Sequence, residues 1–494
     1  MRPLAAVLPW NSSPHGEAMA QRLLASGLVH SVAAAALPGC PAVPEGVARI
    51  EAEGLWSSAL VDAVARWFEA QPAELLLWVL PADVDLPGQA LARLAQVVRD
   101  SGAVLGYGDF VDEDAAGACT PHPLIDYQTG SLRDDFDFGP AVLFDRQALL
   151  RAVQAMRQDG VSWQHGALYD LRLRVTEQGP VLHLSEPLWR RRALATVDAH
   201  GAHFAYVDPK NRAYQIEMEA VATAHLRRIR AWLPTPIEDS VDDGAAIGVT
   251  ASVIIPVRDR VRTVGDAARS ALGQQAPFDH NVIVVDNHSG DGTREALSAL
   301  AAEDPRLVHL VPKRRDLGIG GCWNEAVFSP HCGRFAVQLD SDDLYDGNDV
   351  LARIVQTFEA ERCALVVGSY SLVDEELRAI PPGLIDHREW TAGNGHNNAL
   401  RIHGLGAPRA YHVSTLRAVG GFPNTSYGED YAVVLRLCRS YRVGRILDSL
   451  YWCRRWSGNS DAALPLEVAN RYATYKDRLR TLELMARQRL VASA

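Results

Sequence analysis

Short apolar runs alternate with amphipathic segments along most of the chain. In the second half the runs lie at 252–256, 281–286, 336–339 and 364–369, and a stretch with helical periodicity at 350–361 separates the last two. The runs are short, rich in β-branched residues and bounded by Pro, Gly or acidic residues, which is typical of buried strands. Strands that alternate with helices predict a parallel sheet covered by helices on both faces.

The first half repeats this order of elements. Its clearest apolar runs lie at 5–8, 32–37, 75–80 and 103–107. Several features of the second half match features of the first half in the same order, which predicts an internal duplication. The matches are 80–88 with 339–347, 106–113 with 368–375, 166–169 with 428–431, and the 20-residue step from Tyr169 to Trp189 with that from Tyr431 to Tyr451. The alternative is that residues 1–205 form an unrelated α/β domain.

A charged segment separates the two copies. Residues 208–232 have helical spacing, and a stretch that contains Pro and then acidic residues follows them up to 243, which is typical of a linker. The tail from 465 onward is again periodic, and we expect it to pack on the body of the protein rather than to mediate self-association. The predicted parts are 1–205, 206–248, 249–461 and 462–494.

Composition narrows the class of protein. The 49 basic and 60 acidic residues give a net charge of −11, which argues against a nucleic-acid-binding protein. No apolar run is long enough to span a membrane, and the apolar start of the chain ends at Pro9, too early for a signal peptide. The seven Cys form no CxxC pair, which is typical of a reducing compartment and argues against zinc. We expect a cytoplasmic enzyme.

Three carboxylates follow the apolar run 336–339 within four positions. Asp340, Asp342 and Asp343 would lie at the carboxyl end of a strand, where open α/β sheets bind ligands. Like charges this close need a compensating cation, and Mg²⁺ or Mn²⁺ is bound by one or two carboxylates together with substrate phosphates. The alternative is an acidic surface turn that caps the next helix.

The first copy has lost most of the charged residues of the second copy. In its sequence Pro81, Asp83 and Val84 take the places of the three acids, and Asp85 lies one place out of register. The pair Glu429-Asp430 is replaced by Ala167-Leu168, and Asp286 by an apolar stretch at 36–38. The first copy is therefore predicted to keep the fold without the chemistry.

Five motifs occur in a fixed order in the second copy. They are Ser252–Arg258, Val284–Thr293, Asp340–Asp343, Gly428–Tyr431 and Arg454–Ser460. This ordered set resembles the family-2 glycosyltransferases, inverting enzymes whose nucleotide-sugar-binding fold is called GT-A. The resemblance covers about 249–461. Together with the repeat, it implies an α/β protein with two tandem GT-A domains, the first degenerate, joined by a helical linker and followed by a C-terminal helix.

The resemblance also implies roles at the donor site. Asp286 would accept the N3–H of a pyrimidine base, although its loop is also simply rich in turn formers. Asp342 or Asp343 would hold Mn²⁺ or Mg²⁺ against the diphosphate, and an arginine of the late motif would hold the diphosphate too, unless these arginines are structural. The implied donor-binding residues are Pro256, Val257, Arg258, Asp286, Asp340, Ser341, Asp342, Arg454, Arg455 and Trp456.

At the acceptor side the resemblance singles out Glu429 and Asp430. Asp430 would be the general base that takes the proton of the acceptor, and Glu429 beside it would raise its pKa if both are partly buried. The alternative is that both acids merely favour a helix N-terminus. Their absence at Ala167-Leu168 weakens that alternative.

The sequence departs from the family pattern between these motifs. Trp323 stands where an Arg is usual, which puts any diphosphate contact there in doubt, and Lys313-Arg314-Arg315 could supply the charge instead. Arg258, Arg260 and Arg262 would either steer an anionic ligand or be solvated loop charges. The glycines at 318, 320 and 321 lack the GxGxxG spacing of a dinucleotide fold.

These observations predict a metal-dependent, inverting glycosyltransferase of bacterial-type glycan or glycoconjugate synthesis. The donor would be a nucleotide sugar, most readily a UDP-sugar, and the acceptor a hydroxyl of a glycan, a lipid-linked glycan or a protein. The first copy would shape the acceptor groove or an interface of a homo-oligomer. One alternative is a non-catalytic pseudo-glycosyltransferase that acts as a binding or scaffold protein. The other is a nucleotidyltransferase, which would need a glycine-rich basic loop after the first strand.

Overall fold

The computed structural model describes residues 4–10, 14–81, 83–192, 211–241, 248–456, 458–459 and 464–493. The end of the predicted first copy, parts of the predicted linker at 206–210 and 242–247, and Ser460 lie outside the described residues. Contacts divide the chain into two compact units. The first comprises the described part of Met1–His203 together with Asn211–Trp232 and Pro465–Leu484, and the second comprises Leu233–Leu464 and the described residues from Met485 onward.

The first unit is built on one mixed sheet. Its strands are β1 (Leu4–Trp10), β2 (Val29–Ala36), β3 (Val47–Glu51), β4 (Leu75–Val79), β5 (Asp83–Asp85), β6 (Leu105–Glu113), β7 (Cys119–His122), β8 (Ala141–Asp145) and β9 (Val181–Arg192). Its helices are α1 (Pro14–Ala25), α2 (Ser58–Glu69), α3 (Gly88–Ser101), α4 (Arg146–Asp159), α5 (Ala167–Thr176) and α6 (Arg212–Arg228). The strand order is β3-β2-β1-β4-β8-β6-β9-β5, with β7 paired to β6.

Local sequence signals set the limits of these helices, as α4 illustrates. The carboxylate of Asp145 accepts a hydrogen bond from the backbone N–H of Ala148 at 2.9 Å and so caps the first turn. Gly160 ends the helix with a φ of 66°, a left-handed conformation that costs glycine least. Between these ends the buried side chains recur with helical spacing from Ala148 to Met156 and cover one face of the sheet.

The second unit is built on a second mixed sheet. Its strands are β10 (Ala251–Val257), β11 (His280–Asp286), β12 (Leu307–Leu310), β13 (Phe335–Gln338), β14 (Leu344–Tyr345), β15 (Leu365–Val373), β16 (Ala379–Ile385), β17 (Arg409–His412) and β18 (Val443–Arg454). Its helices are α7 (Val264–Leu272), α8 (Thr293–Glu303), α9 (Ile319–Val327), α10 (Val350–Glu361), α11 (Gly395–Asn398), α12 (Val413–Ala418) and α13 (Glu429–Leu437), and α14 (Leu466–Ser493) follows. The strand order is β12-β11-β10-β13-β17-β15-β18-β14, with β16 paired to β15.

The two sheets have the same strand order, element for element. In both, the four strands at one end are parallel and the strand that follows them, β8 or β17, is antiparallel. This agreement confirms the prediction of two tandem α/β units of one architecture. It rules out the alternative of an unrelated fold for the first half.

The pairing registers also show which positions of the two sheets are equivalent. Pro9 in β1 corresponds to Pro256 in β10, and Trp189 in β9 corresponds to Tyr451 in β18, as the matched spacing predicted. Two of the sequence matches need correction. The match of 80–88 with 339–347 is shifted by one residue at its start, because the first unit has one more residue than the second between the equivalent strands β4 and β5. The match of 106–113 with 368–375 is shifted by two residues, because the registers of β6 and β15 make Gly106 equivalent to Val366.

The C-terminal tail is helical, as predicted. Its residues up to Leu484 belong to the first unit and those from Met485 onward to the second. In the first unit the fully buried carboxylate of Asp477 accepts hydrogen bonds from Ser131 at 2.8 Å and Arg480 at 2.7 Å. In the second unit the buried Arg487 donates to the side-chain oxygen of Asn397 at 2.9 Å. Within the described residues, no helix combines the length and apolar character that a membrane span requires.

Candidate functional site

The site lies in the second unit, where the central parallel strands end. Val257 of β10 pairs with Asp286 of β11, and Ile254 of β10 pairs with Gln338 of β13, two residues before Asp340. Because neighbouring strands lie about 4.8 Å apart, the ends of β11 and β13 are separated by about 10 Å. The structure therefore places the Asp286 motif and the acidic motif along one sheet edge, as open α/β sheets do with ligand-binding residues.

The three carboxylates after β13 have different surroundings. Asp340 is exposed, and both of its oxygens accept from the side-chain amide of Gln338, at 3.1 and 3.2 Å. Asp342 is half-buried, whereas Asp343 is 5% exposed and accepts from the backbone N–H of Arg454 at 2.7 Å. Ser341 is buried between them. The turn thus presents Asp340 and Asp342 outward and holds Asp343 inside.

Mutual repulsion shapes the electrostatics of this turn. Desolvation, with the charges of Asp340 and Asp342, raises the pKa of Asp343 well above its ordinary value. The pKa of Asp340 is also raised, by the desolvating protein around it and by Asp342, although its side chain meets solvent and Arg409 opposes the shift. The cluster therefore carries more carboxylates than its surroundings neutralise, which suits a cation-binding site.

Trp456 and Asn459 reach the middle carboxylate. The indole N–H of Trp456 donates to Oδ2 of Asp342 at 3.1 Å, and the amide of Asn459 donates to the same oxygen at 3.3 Å. The guanidinium groups of Arg260 and Arg262 lie 5.9 and 5.2 Å from the centre of the Trp456 ring, within cation–π range. The late motif thus comes together with the acidic motif, although they are more than a hundred residues apart in the chain.

The two arginines of the late motif have different surroundings. Arg454 is 8% exposed and its guanidinium lies 3.5 Å from Asp266 on α7. Arg455 is half-buried, and its backbone N–H donates to the carbonyl of Val373 at 2.8 Å. Arg454 has the more direct role in the turn, because its backbone N–H binds Asp343.

Glu429 and Asp430 lie in the first turn of α13. Both the proposed catalytic role and the alternative that these acids merely favour a helix N-terminus predict this position. Oδ1 of Asp430 accepts from the backbone N–H of Tyr431 at 2.7 Å, and Oδ2 lies 3.0 Å from the guanidinium of Arg409. Oε2 of Glu429 is buried and has no hydrogen-bond partner among the described residues. Desolvation and the charge of Asp430 raise the pKa of Glu429 to about 8.

Sequence reasoning missed Gln338 and Arg409, which connect the two acidic groups. Oε1 of Gln338 accepts from the backbone N–H of Arg409 at 3.1 Å, while its amide donates to Asp340. Arg409 in turn faces Asp430. A polar residue at the end of an otherwise apolar strand was the available signal for Gln338, and no motif marks Arg409.

The structure buries Asp286 completely and surrounds it with donors. Oδ1 accepts from the backbone N–H of Ser289 at 2.8 Å, and Oδ2 lies 3.2 Å from Arg294 and 3.5 Å from His309. Desolvation opposes ionisation, but the Ser289 and Arg294 hydrogen bonds outweigh it and lower the pKa of Asp286. A base that contacts this carboxylate would have to approach it beside these donors.

Hydrogen bonds connect the loop after β10 to the loop after β11. The backbone N–H of Asp259 donates to the Ser289 hydroxyl at 2.9 Å, and that of Val261 to Asp291 at 3.0 Å. Pro256 is half-buried, Val257 is buried, and the exposed Arg258 lies 3.7 Å from Asp259. The two motifs therefore form one structural element.

Trp323 and the nearby glycines serve packing. Trp323 is 5% exposed, and its ring lies 5.0 Å from Phe422 and 5.8 Å from Tyr411, so it cannot take the place of a diphosphate-binding Arg. A Cβ on Gly320 would come within 2.0 Å of a backbone carbonyl and 2.9 Å of Cβ of Glu429. These glycines let α9 approach the chain that leads into α13. The nearby Lys313, Arg314 and Arg315 are exposed, and Arg314 pairs with Asp316 at 2.6 Å.

In the part of the chain that the structure describes, no group of three or more His, Cys, Asp or Glu side chains is arranged to hold a metal ion. Asp342 and Asp343, which are adjacent in the turn, offer oxygen atoms alone, the donors that Mg²⁺ and Mn²⁺ prefer. They fit a cation whose remaining ligands come from phosphate oxygens and water.

An open cleft of about 640 Å³ lies elsewhere in the second unit. It is lined by residues at the amino ends of β10, β11 and β12, among them His280 and Arg306, and by none of the motif residues. The chemistry-bearing side chains all lie at the opposite ends of these strands, so this cleft is not the candidate site.

The sequence and the structure were compared with known proteins. Residues 252–416 match the family model described as Glycosyl transferase family 2. No curated protein matches the sequence significantly.

Several solved structures are similar to this chain. The structure of TarS 1–349 from S. aureus in complex with UDP is 18% identical to this chain, with a TM-score of 0.37. The match covers 47% of this chain and 65% of the TarS chain. The mannosyltransferase PcManGT from Pyrobaculum calidifontis in complex with GDP-Man and Mn²⁺ has 19% identity and a TM-score of 0.34 over 60% of this chain and 85% of its own. GalNAc-T7 with UDP, GalNAc and Mn²⁺ has 14% identity and a TM-score of 0.33 over 51% and 54%.

The match covers only part of the length of the TarS structures. The chain spans 65% of TarS 1–349 and 37% of another TarS structure. At these identities and TM-scores the likeness bears on neither donor nor acceptor.

Proposed function

We propose that this chain, whose residues 252–416 match the model of glycosyl transferase family 2, transfers a sugar from a nucleotide-diphosphate donor to a hydroxyl acceptor with inversion at the anomeric carbon. A UDP-sugar is the proposed donor and a glycan the first acceptor to test, before lipid-linked glycans and proteins. The observation that carries the proposal is the convergence of three motifs. The acids after β13, Trp456 and the Glu429-Asp430 turn lie around one sheet edge, joined by Gln338 and Arg409.

The donor would lie along this edge. Asp286, Pro256 and Val257 would face the base, and Asp340 the ribose. Asp342 and Asp343 would hold Mn²⁺ or Mg²⁺, which when bound offsets the negative charge that grows on the departing diphosphate. Since Asp342 is half-buried and Asp343 lies inside, Asp342 is the ligand that a diphosphate-bound ion reaches first.

The acceptor would react on the side of α13. Its hydroxyl oxygen attacks the anomeric carbon, the bond from that carbon to the phosphate oxygen breaks, and the nucleoside diphosphate leaves with the bonding pair. Asp430 takes the hydroxyl proton, and its ion pair with Arg409 holds the carboxylate in place for that step. Glu429, whose pKa is about 8, would be largely protonated at neutral pH and so would not add a second charge beside Asp430.

The division of the chain into a degenerate part at 1–205 and a catalytic part at 249–461 belongs to this proposal. The pairing registers support it, because they place Ala36 at the position of Asp286. The helix starts agree, since α5 begins with Ala167-Leu168 where α13 begins with Glu429-Asp430. A cytoplasmic location remains part of the proposal as well.

Thermal unfolding with nucleotides tests the donor site without knowledge of the acceptor. A ligand that binds the native state alone raises the midpoint by mass action. We expect one class of nucleoside diphosphate or nucleotide sugar to raise it, more strongly with Mn²⁺, and we expect Asp342→Asn to remove the Mn²⁺-dependent part. Asp83→Asn is the matched control, because Asp83 holds the equivalent position in the first unit.

The outcomes separate the candidate functions. Release of nucleoside diphosphate from a nucleotide sugar supports the glycosyltransferase. Release of diphosphate supports nucleotidyl transfer. If no nucleotide shifts the midpoint and nothing is released, the binding or scaffold protein is favoured.

A further inference from the structure

Gln338 and Arg409 form a bridge between the donor and acceptor sides of the site. Gln338 ends β13 and Arg409 begins β17, and the side-chain oxygen of Gln338 accepts the backbone N–H of Arg409 at 3.1 Å. The amide of Gln338 donates to Asp340, and the guanidinium of Arg409 lies 3.0 Å from Asp430. A second bond, from the same guanidinium to the carbonyl of Gly406 at 2.7 Å, fixes its direction.

The surroundings keep Arg409 charged, and its ion pair is with Asp430. Its side chain is 16% exposed, so solvent screens the pair only in part. Burial lowers its pKa, but the carboxylates of Asp430, Asp340 and Glu429 together raise it above the ordinary value. Arg409 therefore stays charged, and the ion pair lasts for as long as its carboxylate partner is ionised.

The first unit provides an internal comparison. Its pairing registers place Trp78 at the position of Gln338 and Val142 at that of Arg409. Both side chains are buried and apolar, and Trp78 packs against Phe144. The same sheet thus forms without the polar pair, so the fold itself does not need it. The pair is missing in the copy that also lacks both acids of the α13 turn.

We propose that Arg409, held by Gln338, is a positioning residue that orients the carboxylate of Asp430 toward the acceptor and couples it to the donor-binding Asp340. This proposal rests on the proposed function of the site. Arg409 would act through Asp430 and would touch neither donor nor acceptor. Its positive charge favours the ionised form of Asp430, which is the form that a general base needs.

The charged groups around Asp430 determine what the removal of Arg409 does. Glu429 lies beside it on α13, Arg409 and Tyr411 face it from β17, and Asp340 lies beyond Arg409 at the end of β13. Removal of Arg409 takes away the positive charge that lies 3.0 Å from Asp430 and leaves the negative charge of Asp340 in the same neighbourhood. The protonated form of Asp430 is then favoured at higher pH.

The experiment compares kcat and KM as functions of pH for the full chain and for Arg409→Gln and Arg409→Lys. In Arg409→Gln we expect kcat at neutral pH to fall at least tenfold and the acidic limb of the profile to move up by about one pH unit, the size of effect that an Arg has on a neighbouring Asp. The donor KM should change less than threefold. Arg409→Lys keeps the charge without the planar fork, so its acidic limb should return toward that of the unchanged protein while kcat recovers in part.

Arg445→Gln is the matched control. Arg445 is, like Arg409, a half-buried arginine of the second unit, but it donates to the backbone carbonyls of Leu405 and Asp386, at 3.3 and 2.9 Å, and its charge interacts with Glu389 and Asp386. Its loss should lower the unfolding midpoint and leave the acidic limb in place. If Arg409→Gln fails to fold, Arg409→Lys alone carries the comparison of kcat with KM.

Two results would overturn the inference. One is an unchanged acidic limb in Arg409→Gln, and the other is a rise in donor KM with kcat unchanged, which would place Arg409 in donor binding. If the unchanged protein releases no nucleoside diphosphate from any nucleotide sugar, the proposed function fails and this inference fails with it. A profile that stays unshifted while the unchanged protein turns over contradicts this inference alone.

Discussion

Glu429→Gln should stabilise the protein at alkaline pH while it alters the active site. The raised pKa of Glu429, about 8 against 4.5 for an ordinary Glu, means that between these values the folded protein binds a proton that the unfolded chain has released. The free energy of unfolding therefore falls as the pH rises from about 4.5 to 8. Gln has the same shape and never ionises, so the variant lacks this part of the pH dependence.

The magnitude follows from the shift. One pH unit corresponds to about 1.4 kcal/mol, so the whole interval corresponds to at most about 5 kcal/mol. Asp430 shares the negative charge and water reaches part of the Glu429 side chain, and we therefore expect the variant to be about 2 kcal/mol more stable than the unchanged protein at pH 8.5. For a unit of this size, that corresponds to a midpoint about 4–8 °C higher.

The assay is thermal unfolding at pH 5, 7 and 8.5, with the midpoints of the two proteins compared at each pH. The difference should be small at pH 5 and largest at pH 8.5. Glu359→Gln is the control, because Glu359 is an exposed residue of α10 and its replacement should leave the pH dependence unchanged. A Glu429→Gln variant that is less stable at pH 8.5, or equally stable at all three values, would refute the assignment of a buried, destabilising carboxyl.

Three further results are expected. Asp342→Asn should lower turnover at least a hundredfold and raise the Mn²⁺ concentration needed for half-maximal activity, whereas Asp83→Asn should do neither in the same Mn²⁺ titration. Gly320→Ala should destabilise the second unit by about 2–4 kcal/mol in denaturant unfolding, since its Cβ would lie 2.0 Å from a backbone carbonyl, while Gly290→Ala, with no atom within 4 Å, should cost almost nothing. Trp456→Phe keeps an aromatic ring, although a smaller one, and removes the 3.1 Å hydrogen bond to Asp342, so donor KM should rise severalfold in steady-state kinetics with the unfolding midpoint nearly unchanged.

The features that sequence periodicity predicted are those that depend on neighbours along the chain. The strand before Asp340 is apolar at each position but one, and the acids follow where the strand ends, so both the strand and the location of the acids could be inferred. The duplication could be inferred because spacing survives when charges are lost. The exact register could not, since a one-residue difference between β4 and β5 changes no hydrophobic pattern.

The partners of the site residues depend on contacts between distant segments. Asp286 ends its strand as predicted, but Arg294 and His309, which lie near its carboxylate, come from α8 and β12. Trp323 reads as a substitution at a functional position until the structure shows it buried against Phe422. Arg409 has no local signal at all, because its importance comes from Asp430, which follows 21 residues later on another element.

The two units differ in what faces the equivalent aspartates Asp83 and Asp342, and this difference supports a bound ligand in the second unit. Asp83 and Arg192 of the first unit are equivalent to Asp342 and Arg454 of the second. In the first unit the two lie 3.4 Å apart and neutralise each other. In the second unit Arg454 lies 3.5 Å from Asp266 instead, and among the described residues the hydrogen bonds to Asp342 come from the neutral donors of Trp456 and Asn459. Neutral hydrogen bonds orient a carboxylate without cancelling its charge, so a cation bound at Asp342 would supply the balance that Arg192 gives to Asp83 in the first unit.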